Sequence, residues 1–352
     1  MIIYLFFLII AALISYCKNE KFGNCIIILL LFFTVFRNET VGFDTYNYVH
    51  GGYNEWAAGM RTNELLYKWL SSFVDSEGSQ FLLIVFGCIT FWGIYVASKK
   101  WLIPPIFAVF FFILFEYYNL SLNIARQYAA AGFLLIAYSF LLDKGRKRFF
   151  FFLFVLLAAG LHSSSLLFSL TYFCRIVDFS KINKIILSLF ILVFFILCNF
   201  VLKDYYIQIA QAAVITGDME VYSRYFDQTE DYGLSLGGAI IAFVNLFTSI
   251  FIFLSISGDK TQRGRILTSL FFISIIFDVF FANLYGNIGR LRYSIDIINI
   301  IAYSWYFLYV RHNKLIKTSV ALVMCVFYGY SLVYSLLGPD KAYSTVPYEL
   351  CF

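Results

Sequence analysis

The stretch from Asn119 to Gln127 reads Asn-Leu-Ser-Leu-Asn-Ile-Ala-Arg-Gln and opens an apolar run that continues to Leu142. If a helix covers this stretch, Asn123, Arg126 and Gln127 fall at positions i, i+3 and i+4 and share one face. An arginine at the centre of a bilayer costs about 2.5–3.5 kcal/mol on insertion scales, so it is rarely carried there without a function. The stretch therefore predicts a membrane helix with a polar site at one end.

The composition of the whole chain agrees with a membrane protein. Of its 352 residues, 61% are hydrophobic and only 13% are charged, and the mean hydropathy is +0.80. A soluble domain carries roughly 25% charged residues. The seven cysteines lie mostly in or beside apolar runs without a CxxC pair, so we expect neither a disulfide framework nor a metal site. We also expect no cofactor, since the sequence has no glycine-rich nucleotide loop.

Apolar runs long enough to cross a bilayer, about 17–25 residues each, alternate with short polar loops. They predict an all-α, polytopic transmembrane helical bundle with about 10–12 membrane segments, in a single integral membrane domain covering residues 1–352. The first run starts at Met1 without a basic segment before it, which indicates a retained span. The runs lie at 1–17, 22–36, 80–98, 102–118, 121–142, 149–174, 185–202, 236–257, 266–284, 294–310 and 318–338.

The run 149–174 decides the topology. Basic loops face the cytoplasm, yet a single crossing would put Lys144–Arg148 and Arg175–Lys184 on opposite sides. The conflict disappears if the run enters and returns as a short hairpin that turns near Gly160–Ser165, where protein can bury an irregular backbone. A single tilted crossing with a weaker charge bias is the alternative. The hairpin topology places both termini outside and gives two long extracytoplasmic loops, at about 37–79 and 203–235.

The first long loop holds two groups of candidate residues. Arg37 and Asp44 lie close to the membrane exit, either as site residues or as a loop salt bridge. Glu64, Tyr67 and Lys68 share a helical face, which is also typical of a surface helix on the membrane.

Arg126 is the strongest candidate for binding an anion. Its guanidinium presents a planar fork of donors that suits phosphate oxygens, and Asn123 and Gln127 beside it can bind sugar hydroxyls or the rim of the phosphate. The alternative is an arginine bonded to carbonyls or to a carboxylate such as Glu116, which would lock helices together.

His162 lies in an otherwise apolar run, at the predicted hairpin turn. Histidine titrates near neutral pH and suits proton transfer. The alternative is a histidine that satisfies the broken backbone together with Ser163 and Ser165.

A late cluster contains Arg290, Arg292 and Tyr293. Arg292 and Asp296 are spaced i, i+4 and predict a structural pair, which leaves Arg290 as the better functional candidate. Asp278 in the preceding span is expected to neutralise a buried cation or to hydrogen-bond another helix.

The second long loop offers Arg224 and Tyr225 as a substrate-facing arginine with an aromatic platform, or as part of an interfacial amphipathic segment. Several arginines near one membrane face indicate an anionic ligand in the outer leaflet, and a lipid-linked pyrophosphate fits. The residues concerned are Arg37, Arg126, Arg224, Arg290 and Arg292, with His162 and Asp44.

The order of these short motifs resembles the EpsG-like branch of the Wzy-type polysaccharide polymerases, from about residue 30 to residue 300. The motifs that carry the resemblance are Arg37…Val41-Gly42-Phe43-Asp44…Tyr48, Glu64…Tyr67, Asn123…Arg126-Gln127, Leu161-His162-Ser163-Ser164 and Arg290-Leu291-Arg292-Tyr293.

The resemblance implies a polymerase that joins oligosaccharide repeat units carried on undecaprenyl pyrophosphate, at the periplasmic or outer face of a bacterial cytoplasmic (inner) membrane. It implies a flippase and a chain-length regulator of the same pathway as partners, and no nucleic acid. The implied catalytic residues are His162, Asp44, Arg126 and Arg290. The implied substrate-binding residues are Arg37, Glu64, Asn123, Gln127, Arg224, Tyr225, Arg292 and Tyr293.

Two other functions stay open at this point. An O-antigen-ligase-like transferase would use the same donor with a different acceptor. A flippase or transporter should show inverted repeats and broken helices near the midplane, whereas the polar residues here gather toward one face, which favours the enzyme.

Overall fold

The computed structural model describes residues 2–17, 20–42, 44–50, 64–74, 78–198, 236–281, 289–337 and 348–351. Helices dominate these residues, and the extended pairing found among them is an isolated bridge between Arg37 and Leu350. The predicted all-α fold is therefore confirmed. The α-helices of the described residues are α1 (Ile2–Cys17), α2 (Glu20–Val35), α3 (Thr45–Val49), α4 (Leu65–Ser71), α5 (Phe81–Lys100), α6 (Pro105–Leu114), α7 (Tyr117–Asn123), α8 (Ala125–Phe140), α9 (Phe149–Leu161), α10 (Lys184–Ile196), α11 (Leu236–Ile256), α12 (Gln262–Phe281), α13 (Tyr293–Asp296), α14 (Asn299–Tyr309) and α15 (Lys314–Leu337).

Two helices of the described residues are long and apolar enough to cross a membrane by themselves. They are α5 and the Lys314–Tyr334 part of α15, and the bent pair α6–α7 makes a third if it is counted as one span. Other apolar helices, such as α10, are shorter. The helical membrane class agrees with the composition, while the count of about 10–12 segments stays a prediction.

Among the described residues, helices α5 and α8 pack with their backbones in close contact. A Cβ atom built on Gly93 would lie 2.3 Å from the carbonyl oxygen of Gly132, and one built on Gly132 would lie 2.7 Å from the carbonyl oxygen of Ile89. Small residues allow this backbone approach between membrane helices. Helix α8 is buried along almost its whole length and contacts α9 on another side.

The run 149–174 forms the predicted hairpin. After α9, His162 adopts an extended conformation, and a 3-10 helix (Ser163–Arg175) returns along α9. The ring of Tyr172 lies 5.5 Å from that of Phe151 at the start of α9. Arg175 Nη1 donates to the carbonyl oxygen of Asp143 at 2.9 Å. The two basic loops therefore lie at the same end of the fold, and the alternative of a single crossing is wrong.

The predicted span 102–118 is broken, which corrects the sequence-based assignment. Helices α6 and α7 meet at an angle of 73°. Glu116 between them has φ +64° and adopts the left-handed conformation.

A second break, at Ile124, separates α7 from α8 and corrects the prediction of one continuous helical face for Asn123, Arg126 and Gln127. In a continuous helix the carbonyl of Leu122 would accept the N–H of Arg126. Instead it accepts Arg37 Nη2 at 2.8 Å and lies 3.3 Å from Thr45 Oγ1. The first loop thus takes the carbonyl that the helix would have used.

Candidate active site

A buried carboxylate, Glu64, joins three parts of the fold. It lies immediately before α4, and its side chain is 3% exposed. Its Oε2 accepts Arg126 Nη1 from the start of α8 at 2.6 Å. Its Oε1 accepts the backbone N–H of Ser163 at 3.1 Å and lies 3.2 Å from Nδ1 of His162. Glu64 therefore brings together Arg126 and His162, which the sequence predicts as site residues from distant segments. We call these four residues the Glu64 cluster.

The Glu64 cluster balances the charge of its buried carboxylate. Burying an ionised carboxylate costs several kcal/mol unless it is paired and hydrogen-bonded. Arg126, whose side chain is 12% exposed, supplies the opposite charge, and the Ser163 N–H supplies a neutral donor. The sequence alternative for Arg126, a bond to a carboxylate, is thus realised with Glu64.

The same carboxylate orients the imidazole of His162. An ionised carboxylate only accepts hydrogen bonds, so the contact with Glu64 requires the proton of His162 to be on Nδ1. Nε2 is then the unprotonated ring nitrogen, which can accept a hydrogen bond. The side chain of His162 is 21% exposed, so a ligand can reach the ring. This is the arrangement that a general base requires.

Two contacts hold the Glu64 cluster in place. The guanidinium carbon of Arg126 lies 4.4 Å from the centre of the Tyr67 ring, a cation–π contact. At the hairpin turn, a Cβ on Gly160 would lie 2.9 Å from Cβ of Leu66, the residue next to Leu65 in α4. Gly160 therefore lets α4 approach the hairpin closely enough for Glu64 to reach His162.

Arg37 is completely buried beside the second break, at Ile124. Besides Leu122, its guanidinium donates to Oγ1 of Thr45 at 3.1 Å and to the carbonyl of Thr34. These bonds tie the first loop to α2 and α7, which is a structural function. Asp44 precedes Thr45 and is partly buried. The assignments of Arg37 to substrate binding and of Asp44 to catalysis stay predictions.

Asn123 and Gln127 flank Arg126 and are both buried, at 4% and 5% exposure. Asn123 Nδ2 donates to the carbonyl of Asn119 at 3.4 Å. Their assignment as ligands of sugar hydroxyls also stays a prediction.

Arg292 pairs with Asp278 rather than with the predicted Asp296. Its Nη1 donates to Oδ1 of Asp278 at 3.0 Å, while Asp296 accepts the hydroxyl of Ser274 at 2.9 Å. Asp278 thus neutralises a cation, as one of the two sequence alternatives predicts. The ring of Tyr293 stacks on that of Tyr128 in α8, with centroids 6.2 Å apart. Arg292, the residue before Tyr293, is therefore close to the helix that carries Arg126.

The side chains of three predicted site residues lie outside the described part of the structure. Arg224 and Tyr225 lie outside the described residues. Arg290 lies in a short 3-10 turn (Gly289–Arg292), and its side chain is outside the described part as well.

Three features of the site were not predicted from the sequence. They are the N–H of Ser163, the small size of Gly160, and the contacts of Glu64 with both Arg126 and His162. Gly160 and Ser163 were visible as turn residues, but nothing in their spacing points to Glu64, which is 98 residues before His162. Among the described residues, no group of three or more histidine, cysteine, aspartate or glutamate side chains is arranged to hold a metal ion.

Comparisons with known proteins give the family. No curated protein matches the chain, and no solved structure does. The EpsG family matches residues 20–350, which extends the resemblance seen in the motifs to nearly the whole chain and includes the Glu64 cluster. The chain belongs to the EpsG family, which is associated with polysaccharide polymerases.

Proposed function

We propose that this protein is a membrane-embedded glycosyltransferase that joins lipid-linked oligosaccharide repeat units into a polysaccharide. Membership of the EpsG family supports the polymerase class. The observation that carries the proposal is the Glu64 cluster, in which one carboxylate contacts both Arg126 and His162. It combines a cation suited to a phosphate leaving group with a base suited to a sugar hydroxyl.

In the proposed reaction, a hydroxyl at the non-reducing end of one repeat unit gives its proton to Nε2 of His162. The oxygen of that hydroxyl attacks the anomeric carbon of the other chain. The bond from that carbon to the pyrophosphate oxygen breaks, and undecaprenyl pyrophosphate leaves with the electron pair. His162 then releases its proton to water.

The charges in the Glu64 cluster favour both halves of this step. N–H groups of Arg126 stabilise the negative charge that grows on the leaving pyrophosphate. Glu64 stabilises the imidazolium that forms on His162 and keeps its Nδ1 protonated. Arg290 and Arg224 are proposed as further ligands of the pyrophosphates, and Asp44 is the second candidate for the base.

We place the reaction at the outer face of the bacterial cytoplasmic membrane. The hairpin supports this orientation, because its turn carries His162 at the end opposite the basic loops, and basic loops favour the cytoplasmic side. A flippase that delivers the repeat units and a regulator of chain length are the proposed partners.

The test uses cells whose own copy of the gene is replaced by variants. His162→Ala should abolish long polymer, leave single repeat units on lipid, and leave the amount of protein unchanged. Arg126→Ala should also abolish long polymer, but it should lower the amount of folded protein, because it leaves the buried Glu64 carboxylate without its opposite charge. The matched control is Arg265→Ala, which removes an exposed arginine paired with Asp178 at 3.4 Å, and it should make normal polymer. Full-length polymer from both site variants would refute the site. Loss of lipid-linked units from the outer leaflet would refute the polymerase and indicate a flippase.

A further inference from the structure

Helix α4 and the turn that follows it carry an exposed apolar row directly after Glu64. Leu65, Trp69 and Phe73 are 70%, 59% and 56% exposed. Leu65 and Trp69 are four residues apart and lie along one side of the helix. Phe73 follows in the turn after the last helical residue, Ser71, and its ring lies 5.2 Å from that of Trp69. On the other side, Tyr67 and Leu70 are buried, so the helix is fixed to the fold by the face opposite its apolar row.

The length of α4 excludes a membrane crossing. Its seven residues extend about 10 Å, against roughly 30 Å for the hydrocarbon core of a bilayer. A short helix with leucine and tryptophan on one side, a phenylalanine in the turn after it and a lysine beside them is typical of a helix that lies in the membrane interface. Lys68, exposed next to Trp69, supplies that lysine.

The apolar row continues onto a candidate membrane span and onto the hairpin, which points to lipid as its occupant. The ring of Phe73 lies 5.7 Å from that of Phe81, the first residue of the spanning helix α5. At the other end, Leu66 contacts Gly160 of the hairpin, whose helix α9 exposes Leu156. A surface shared with membrane helices on both sides is covered by the bilayer that covers them.

We propose that α4 lies in the plane of the bilayer interface, with Leu65, Trp69 and Phe73 in contact with lipid. The Glu64 cluster, which begins one residue before this row, then opens at the boundary between lipid and water. Its anionic ligand is accordingly presented by a lipid and not taken from bulk water. This last statement about the ligand rests on the proposed function, whereas the position of α4 does not.

Tryptophan fluorescence tests the position of α4 in the full chain, reconstituted in phosphatidylcholine vesicles. The signal of Trp69 is obtained as the difference between the unchanged chain and Trp69→Phe. We expect lipids brominated near the headgroup to quench this difference signal more than lipids brominated near the chain ends, and aqueous iodide to quench it weakly. Trp92→Phe provides the reference for depth in the bilayer. Trp92 lies inside α5 about 16 Å from the first residue of that helix and is 47% exposed. Its difference signal should show the opposite order of the two lipids.

Two outcomes would overturn the proposal. Quenching of the Trp69 signal by iodide alone would show a row that faces water. Quenching by neither agent would show a row covered by protein. Because no substrate or activity enters the experiment, a failure here is separate from a failure of the polymerase assay.

Discussion

Replacing Glu64 gives the most informative perturbation, because the carboxylate contacts both proposed reacting side chains. Glu64→Gln keeps the size of the side chain and an oxygen for the N–H of Ser163, but it removes the charge. A hydrogen bond to a charged group contributes about 1.5–3 kcal/mol. If that loss falls on the transition state, polymer formation slows by about 10- to 150-fold. The amide oxygen of glutamine can still accept a hydrogen bond, so Glu64→Gln should lose less stability than Glu64→Ala, although Arg126 loses its opposite charge in both.

Glu64→Ala should act on stability as well. It leaves the guanidinium of Arg126, 12% exposed, without its opposite charge, and breaking such a pair costs about 3–5 kcal/mol. Adding Arg126→Met removes the unpaired charge. The double variant should therefore unfold at a higher temperature than Glu64→Ala alone, although both lack the proposed catalytic arrangement.

Thermal unfolding of the purified chain and the rate of polymer formation are the two measurements for this series. A Glu64→Gln variant with the rate of the unchanged protein would refute the orienting role of the carboxylate. Strictly additive losses of stability in the double variant would refute the buried pair, because contacting residues should couple.

Three further predictions concern the frame around the site. Gly160→Ala should push Leu66 away and reduce polymer formation with little loss of folded protein. Gly329→Ala is the control and should be neutral, because its added Cβ meets nothing within 4 Å. Equal effects of the two variants on polymer formation would contradict the close approach of α4. Gly93→Ala should lower the unfolding temperature strongly, because the added Cβ meets backbone at 2.3 Å; an unchanged unfolding temperature would contradict the α5–α8 packing. A cysteine at Lys181, whose side chain is 81% exposed, should react with a membrane-impermeant maleimide only from the cytoplasmic side, and labelling from outside would overturn the topology.

The charge pattern of the loops predicted the hairpin correctly. The positions of Lys144–Arg148 and Arg175–Lys184 contained the information, because two basic loops on one side require an even number of passes between them. Apolar run length likewise predicted the helical membrane class. Both signals are local along the chain and do not depend on which helices become neighbours.

Contacts between distant segments of the chain could not be predicted from the sequence. The partner of Arg126 is 62 residues away, and several carboxylates fitted equally well before the fold was known. The break at Ile124 has the same origin, since it depends on Arg37 reaching the carbonyl of Leu122 from the first loop. For Arg292, helical spacing favoured Asp296, yet the fold brings Asp278 closer.

In the proposed function, the Glu64 cluster performs glycosyl transfer from a lipid pyrophosphate. The most direct measurement follows the purified chain in vesicles that contain the lipid-linked repeat unit, and counts undecaprenyl pyrophosphate released against glycosidic bonds formed. We predict one release for each new bond, with both events lost together in His162→Gln and retained in Arg265→Ala. Repeat units that only change leaflets without any release, or bonds formed at the normal rate by His162→Gln, would contradict the proposed mechanism.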